Sequence, residues 1–371
     1  MNNNNAVINF RTRFLKNKAA VVAFLFILCT ILLAVFGYFI APDNSPNANR
    51  MIPEIGSKKP GFSALLLKEK KQTINSENFF QILLNGKTDN YHYTPITSFE
   101  IKNDSIIYQK FIDDGLTERN AMAVHYDNNK TSVENAVKQF AQENIVQQKF
   151  YLGTDKFGRD ILSRLIIGTR VSLSVGLIAV IISLTIGIFL GAIAGYFKGK
   201  TDDIVMWLLN VVWSIPALLL VFAITLVLGK GFWQVFIAVG LTMWVNVARL
   251  VRGQVMAAKE LEYIEAAKVL GFSHSRIIIK HILPNIIGPI LVLAAANFAG
   301  AIVIEAGLSF LGVGVQPPQP SWGLMIKENY NFIVTNNPML ALTPGIAIML
   351  LVLAFNLLGN GLRDALNVKS T

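Results

Sequence analysis

The sequence predicts an all-α membrane protein of six transmembrane helices, with a small α+β insert after the first of them. Two observations carry that expectation. Of 371 residues, 53% are hydrophobic and only 15% charged, whereas a soluble domain carries about 25% charged residues. The apolar residues also gather into uncharged runs near the length that crosses a bilayer, about 20 residues at about 1.5 Å each. Inside lipid every backbone amide must be satisfied within the segment, and runs this long do so as helices.

A formal net charge of +10 would suit nucleic acid or an anionic surface. The basic residues, however, sit at the ends of apolar runs, and no arginine-rich tract is interleaved with aromatics. The lipid bilayer is therefore the expected partner, with no nucleic acid. Cys29 is the single cysteine and lies within an apolar run, which excludes an intrachain disulfide and a thiolate cluster. His92, His125, His274 and His281 are too scattered to indicate a metal site.

Residues 1–18 form a basic N-terminus with Arg11, Arg13, Lys16 and Lys18. Residues 19–41 are the first span, bounded by Lys18 and Pro42-Asp43 and too long for the apolar core of a signal peptide. We read it as an uncleaved anchor. Residues 42–149 are the insert, nearly balanced in charge. Two short strands around Asn103-Asp104 are expected at 91–112, and a helix at 131–149. The stretch 43–60 is rich in Pro, Asn and Lys, and nothing in the insert has catalytic spacing; a docking or packing surface is expected. Residues 150–170 read as an amphipathic interfacial helix started by Thr154 or Asp155, with Asp160 paired to Arg164.

Residues 171–371 are the core. Its uncharged runs lie between Arg170 and Lys198, Asp203 and Lys230, Gly231 and Ala248, Pro284 and Glu305, and Glu328 and Arg363, the last centred on 340–358. Trp213-Ser-Ile-Pro216 predicts a kink or a short leading helix in the second of these. Short loops rich in lysine and arginine stay in the cytoplasm. With six spans, the N-terminus, the loops at 198–203 and 249–284 and the C-terminal tail share the basic side, and the opposite short loops offer Lys230 and Lys327. Both termini are expected in the cytoplasm and the insert outside it.

The loop at 249–284 reads as two helices. Strong helix formers run from Gln254 to a stop at Gly271, Ser273 starts a second helix, and Pro284 closes it. Ala266 and Ala267 are expected to form one smooth patch beside Glu265, suited to docking by another protein. A DNA-binding helix-turn-helix is the competing reading, opposed by the short membrane tethers on both sides.

Glu265-Ala-Ala-x-x-x-Gly271, followed by His281-x-Leu283-Pro284, resembles the EAA loop of bacterial binding-protein-dependent ABC importer permeases. Gly153-Thr-Asp-x-x-Gly-Arg-Asp160, Arg249-x-x-Arg252, Glu305-Ala-Gly-Leu-Ser-Phe-Leu-Gly312 and Pro317-Pro-x-Pro-Ser-Trp-Gly323 are similar to the C-type subunit of the dipeptide, oligopeptide and nickel class. The resemblance covers about 19–41 and 150–366 and leaves out the insert at 43–148. It implies a type I ABC importer permease in the bacterial cytoplasmic membrane. A second permease subunit would complete a heterodimer, two ATP-binding subunits would dock from the cytoplasm, and an extracytoplasmic solute-binding protein would deliver cargo. Glu265, Ala266, Ala267, Gly271, His281, Leu283 and Pro284 would then couple the chain to the ATPases.

No cofactor is expected on this chain, ATP and magnesium being used by the partner subunits. Gly195-Tyr-Phe-Lys-Gly199-Lys200-Thr201 mimics a phosphate-binding loop, yet it has one residue too few between its glycines and follows a membrane helix rather than a strand. Glu305, the acid at the end of a membrane run, can meet a peptide ammonium at the outer mouth of the pore, or serve a backbone amide or a neighbouring subunit's arginine. His281 is read as an interfacial residue capping nearby carbonyls. Nickel or another small solute is the alternative cargo to peptides, and an ion-coupled secondary transporter is the alternative class.

Overall fold

In a computed structural model, residues 3–72, 76–102, 104–124, 133–229, 231–334 and 337–366 are described. Lys230, Lys369, His125 and the turn residue Asn103 lie outside them. Helix α1 (Asn3–Lys16) leads into α2 (Lys18–Ile40). Asn17 separates them and caps α2, accepting the Ala20 N–H at 3.1 Å through Oδ1.

The insert is a five-stranded antiparallel sheet in the order β4-β3-β2-β1-β5, formed by β1 (Phe62–Lys70), β2 (Tyr91–Lys102), β3 (Ser105–Asp113), β4 (Leu116–Ala123) and β5 (Ile145–Phe150). A short helix α3 (Phe79–Asn85) follows β1, and α4 (Val133–Asn144) packs on the sheet over Leu67, Ile96, Ile106 and Tyr108. The helix expected at 131–149 therefore stops at Asn144, whose side-chain amide donates to the Phe140 carbonyl at 3.0 Å. Beyond it, Ile145-Val146 turn extended and pair with Leu67 and Leu66 of β1, where a β-branched pair fits better than in a helix.

The separate interfacial helix at 150–170 is corrected. Residues 151–160 are turns and an isolated bridge from Thr154 to Asp160, and the helix begins at Ile161. It then continues as α5 (Ile161–Phe197), capped by Asp160, which accepts the Ser163 N–H at 2.8 Å. The polar side expected to face water is buried: Ser163 and Arg164 are among the most enclosed residues of the chain.

Two short helices follow, α6 (Gly199–Trp213) and α7 (Ala217–Leu228), bent by 90° at Ser214–Pro216. Pro216 has no N–H to continue the ladder, so the expected kink is a full corner. Helix α8 (Phe232–Lys259) runs past Ala248 without a break, because helix formers such as Met256-Ala-Ala-Lys259 extend it. The loop expected from 249 consequently begins only after Lys259. After α9 (Glu262–Val269) and α10 (His274–Arg276) come α11 (Ile287–Leu311), α12 (Trp322–Asn329) and α13 (Met339–Leu366). Among the described residues, five helices are long and apolar enough to cross a membrane, or six if α6 and α7 cross as one broken span.

The densest packing is between α5 and α8. Gly187, Gly191 and Gly195 recur every fourth residue on α5, and a Cβ on Gly191 would run into the Ala248 carbonyl and Val251. Small residues at this spacing let two helix backbones approach, which is how helices associate where lipid offers no hydrophobic drive.

Candidate functional site: the paired-helix arm

The arm is built on the end of α8. Its ladder ends at Glu260-Leu261, where the Leu261 N–H bonds the Ala258 carbonyl at 3.2 Å, the chain turns, and α9 begins with Glu262 and Glu265 in its first turn. Those acids complement the positive end of the helix dipole, as Lys268 complements the other end. Gly271 then turns the chain with φ +77, a conformation open to glycine and strained for other residues. Ser273 precedes α10 without a side-chain cap.

Pro284 does not close the second helix, as the sequence suggested. The chain passes from α10 through a π-helical stretch at Ile277–Ile282 and a single 3₁₀ turn at Leu283–Ile286 into α11. The wider turn accommodates the proline ring, and Asn285 Nδ2 donates to the His281 carbonyl at 2.7 Å within the bend. Leu283 is half-buried and Pro284 exposed within this bend.

Ala266 and Ala267 do not share a surface, because neighbours on a helix lie about 100° apart. Ala267 is buried with Ile264 against Ile277, Ile282 and Val255, whereas Glu265 and Ala266 face outwards. The outward face continues into Val269 at 88% exposed and Leu270 at 72%, with Tyr263 and Ile279 nearby. His281 caps no carbonyl through its ring: its imidazole stacks on Phe272 at 5.7 Å, and its Nε2 is buried without a hydrogen-bond partner.

Side chains outside the expected coupling set fasten this arm to the bundle. The Tyr196 hydroxyl and His274 Nδ1 are 3.0 Å apart, and Lys259 Nζ donates to the Tyr196 carbonyl at 2.7 Å. Arg252 makes a two-pronged pair with Asp202 at 2.5 and 2.6 Å, joining α8 to the first turn of α6. Lys198 meets Glu260 at 2.9 Å on the surface, which holds the Glu260 carboxyl below its ordinary range. The one signal in the sequence was Asp202 itself, an acid in a short basic loop facing Arg249-x-x-Arg252.

At the other end of the bundle the remaining motifs converge. Glu305 lies inside the chain: it is fully buried, and Ser309 Oγ donates to its Oε1 at 2.6 Å. Ser309 Oγ in turn accepts the Val315 N–H at 3.1 Å. Asp155, Arg159, Arg164 and Glu328 form a buried ion network. Arg159 bonds Asp155 at 2.6 Å and Glu328 at 2.9 Å, and Arg164 reaches Glu328 at 3.2 Å. The expected Asp160–Arg164 side-chain pair is replaced by this arrangement, since Asp160 is engaged with Ser163. Trp322 Nε1 donates to the Leu165 carbonyl at 3.0 Å, locking α12 against α5.

Residues 187–370 match the family described as binding-protein-dependent transport system inner membrane component. Residues 8–57 match the N-terminal TM domain of oligopeptide transport permease C. The glutathione transport system permease protein GsiD of Pectobacterium atrosepticum is 43% identical over 219 residues, 59% of this chain and 72% of that protein. The oligopeptide transport system permease protein OppC of Bacillus subtilis is 40% identical over 248 residues, 67% of this chain and 79% of that protein. The dipeptide transport system permease protein DppC of Alkalihalophilus pseudofirmus is 43% identical over 219 residues, 59% of this chain and 72% of that protein.

Proposed function

Because the chain belongs to the family of binding-protein-dependent transport system inner membrane components, we propose that it is the membrane-spanning permease subunit of an ATP-driven importer of small peptides. Peptides are the common thread among the relatives, which carry oligopeptide, dipeptide and glutathione transport names. In this reading the chain is non-catalytic, sits in the bacterial cytoplasmic membrane with both termini in the cytoplasm, and pairs with a second permease subunit. Two ATP-binding subunits use ATP and magnesium, and an extracytoplasmic solute-binding protein hands over the cargo.

The single observation that supports coupling is the solvent-facing apolar tip of the arm. Val269 and Leu270 stand 88% and 72% exposed beside the turn at Gly271, beyond the membrane-spanning length of α8. Exposed apolar residues clustered outside the lipid mark a protein contact. Glu265 and Ala266 lie on the outward side of the same helix, so an ATPase groove would receive α9 end-on with Glu265 at its rim. Closure of that groove on nucleotide would push α9, and the α9 core of Ile264 and Ala267 would pass the push to α8 and α11. His281, Leu283 and Pro284 lie in the bend that joins the arm to α11. They act here as a hinge rather than as contacts.

The test is Glu265→Lys in the assembled complex. ATP-dependent peptide uptake is expected to fall, with the ATPase subunits co-purifying in reduced amount. Unchanged uptake and unchanged ATPase association would reject the coupling role.

A further inference from the structure

The short helix α3 of the insert carries an apolar face that the described chain covers only in part, where Phe79 stacks on α2. Phe79, Phe80 and Leu84 are 57%, 73% and 64% exposed. At about 100° per residue, Phe79, Phe80, Leu83 and Leu84 share one side, and Asn78, Gln81 and Asn85 share the other. Asn78, Gln81 and Asn85 are exposed as well, so the helix offers one open apolar side and one open polar side, the arrangement of a helix lying in an interface.

Its position explains the pattern. The Phe79 ring stacks on Phe39, near the end of α2, at 5.2 Å. Helix α2 begins at Lys18, and a hydrocarbon core about 30 Å thick takes about 20 residues, so Phe39 lies at the far edge of that core. Phe36, Phe39 and Ile40 are themselves exposed on α2 at 43%, 46% and 53%, as lipid-facing residues of a span are. The apolar face of α3 continues that band sideways at the level of the headgroups.

The helix is also fastened at this level with its ends satisfied. The Asn78 N–H donates to the Gln81 side chain at 2.9 Å, and the Gly86 N–H bonds the Ile82 carbonyl at 2.9 Å. Arg170 Nη1 donates to the Leu84 carbonyl at 3.2 Å while its guanidinium lies over the Tyr38 ring at 5.0 Å. Beneath Leu84, a cleft of about 500 Å³ runs down between α2 and α5, lined by Ile31, Val35, Leu177 and Phe298, with Arg170 on its lining. An apolar slot beside a cation is what a phospholipid fits.

We propose that α3 is an in-plane lipid anchor, its Phe79-Phe80-Leu84 face sunk into the leaflet on the insert's side, so that the sheet rests on the membrane instead of standing free of it. Such helices bury their apolar face about 5–10 Å into the headgroup and acyl boundary. This placement is independent of the cargo and of the ATPase coupling.

The test uses the full chain in lipid nanodiscs, with Cys29→Ser as background and a nitroxide placed at Phe80→Cys or, as the polar-face control, Gln81→Cys. The Phe80 label is expected to be at least about threefold more accessible to oxygen than to an aqueous nickel chelate, and the Gln81 label to show the opposite preference. A Phe80 label as open to the nickel chelate as the Gln81 label would overturn the anchor. A Phe80 label immobile and shielded from both agents would also overturn it, because a protein surface would then cover the face.

Discussion

The arm and the insert are both folded units hung on the same bundle, and they hold together in opposite ways. The interior of the arm is continuous with that of the bundle: Ile264, Ala267, Ile277 and Ile282 belong to one apolar cluster with Tyr196, Val247, Val251 and Ile290. The insert has an interior of its own around Leu67, Ile96, Ile106 and Val137. It meets the bundle through polar contacts, such as the Asp43 N–H on Ser163 Oγ at 2.8 Å and Thr154 Oγ1 on the Ile55 carbonyl at 2.5 Å, and through small separate apolar patches, such as Ala48 with Tyr38 and Ile167. Interiors are close-packed and transmit displacement. A displacement of the arm is therefore expected to reach α5, α8 and α11, and a change in the sheet to leave the bundle as it is. In the proposed function one unit carries force and the other a surface.

The largest effect should come from the tip of the arm. Leu270→Asp puts a charge on a side chain that touches little of its own chain, so thermal stability should be unchanged. ATP-dependent uptake should fall more than about tenfold, since a charge left desolvated in a contact costs several kcal/mol. Preserved uptake would mean that the tip is not a contact.

A matched pair of cavities then separates the two units. Ile264→Ala in the arm and Leu66→Ala in the sheet each empty a fully buried site, at an expected cost of about 2–5 kcal/mol. Ile264→Ala should lower both stability and uptake, because the loosened cluster no longer passes movement to α8. Leu66→Ala should loosen the sheet in hydrogen exchange while uptake stays within about threefold. If both variants lost uptake equally, the independence of the insert would be wrong.

Arg252→Lys sharpens the arm side further. The guanidinium holds Asp202 with two bonds, and an ammonium cannot reproduce that fork. With both partners partly exposed, about 1–2 kcal/mol of stability is expected to go, read as a lower melting temperature of the purified complex.

The contrast also explains what the sequence revealed. Lipid demands long uncharged runs, so α2 was legible within a residue and the apolar hearts of α5, α11 and α13 were visible, although α5 starts earlier, at Ile161, and α11 runs on to Leu311. The end of α8 was hidden because helix formers lie on both sides of Glu260, and only the packing of Ile264 against Ile277 decides where the chain turns. Arg164 looked like the wet side of a surface helix, since nothing local shows that Glu328 arrives from 164 positions along the chain to bury it. The π-helical bend was equally silent, because Pro284 reads as a stop and nothing local shows that the chain runs on through a wider turn into α11. In the insert, the β2–β3 hairpin was visible from its alternation, but β1 and β5 pair across about 80 residues and give no local sign.

The smallest effect is expected at the Lys198–Glu260 pair, and its smallness is informative. Both side chains are largely open to water, at 44% and 66%, where solvent and salt screen the attraction. It joins the loop after α5 to the base of the arm, the place where a strong link would matter most for passing force. If force travels through the apolar cluster and the Arg252–Asp202 fork, Lys198→Ala should leave uptake within about twofold at any ionic strength. A larger loss that deepened at low salt would shift the connection from packing to surface charge, and the arm would then resemble the insert more than the core.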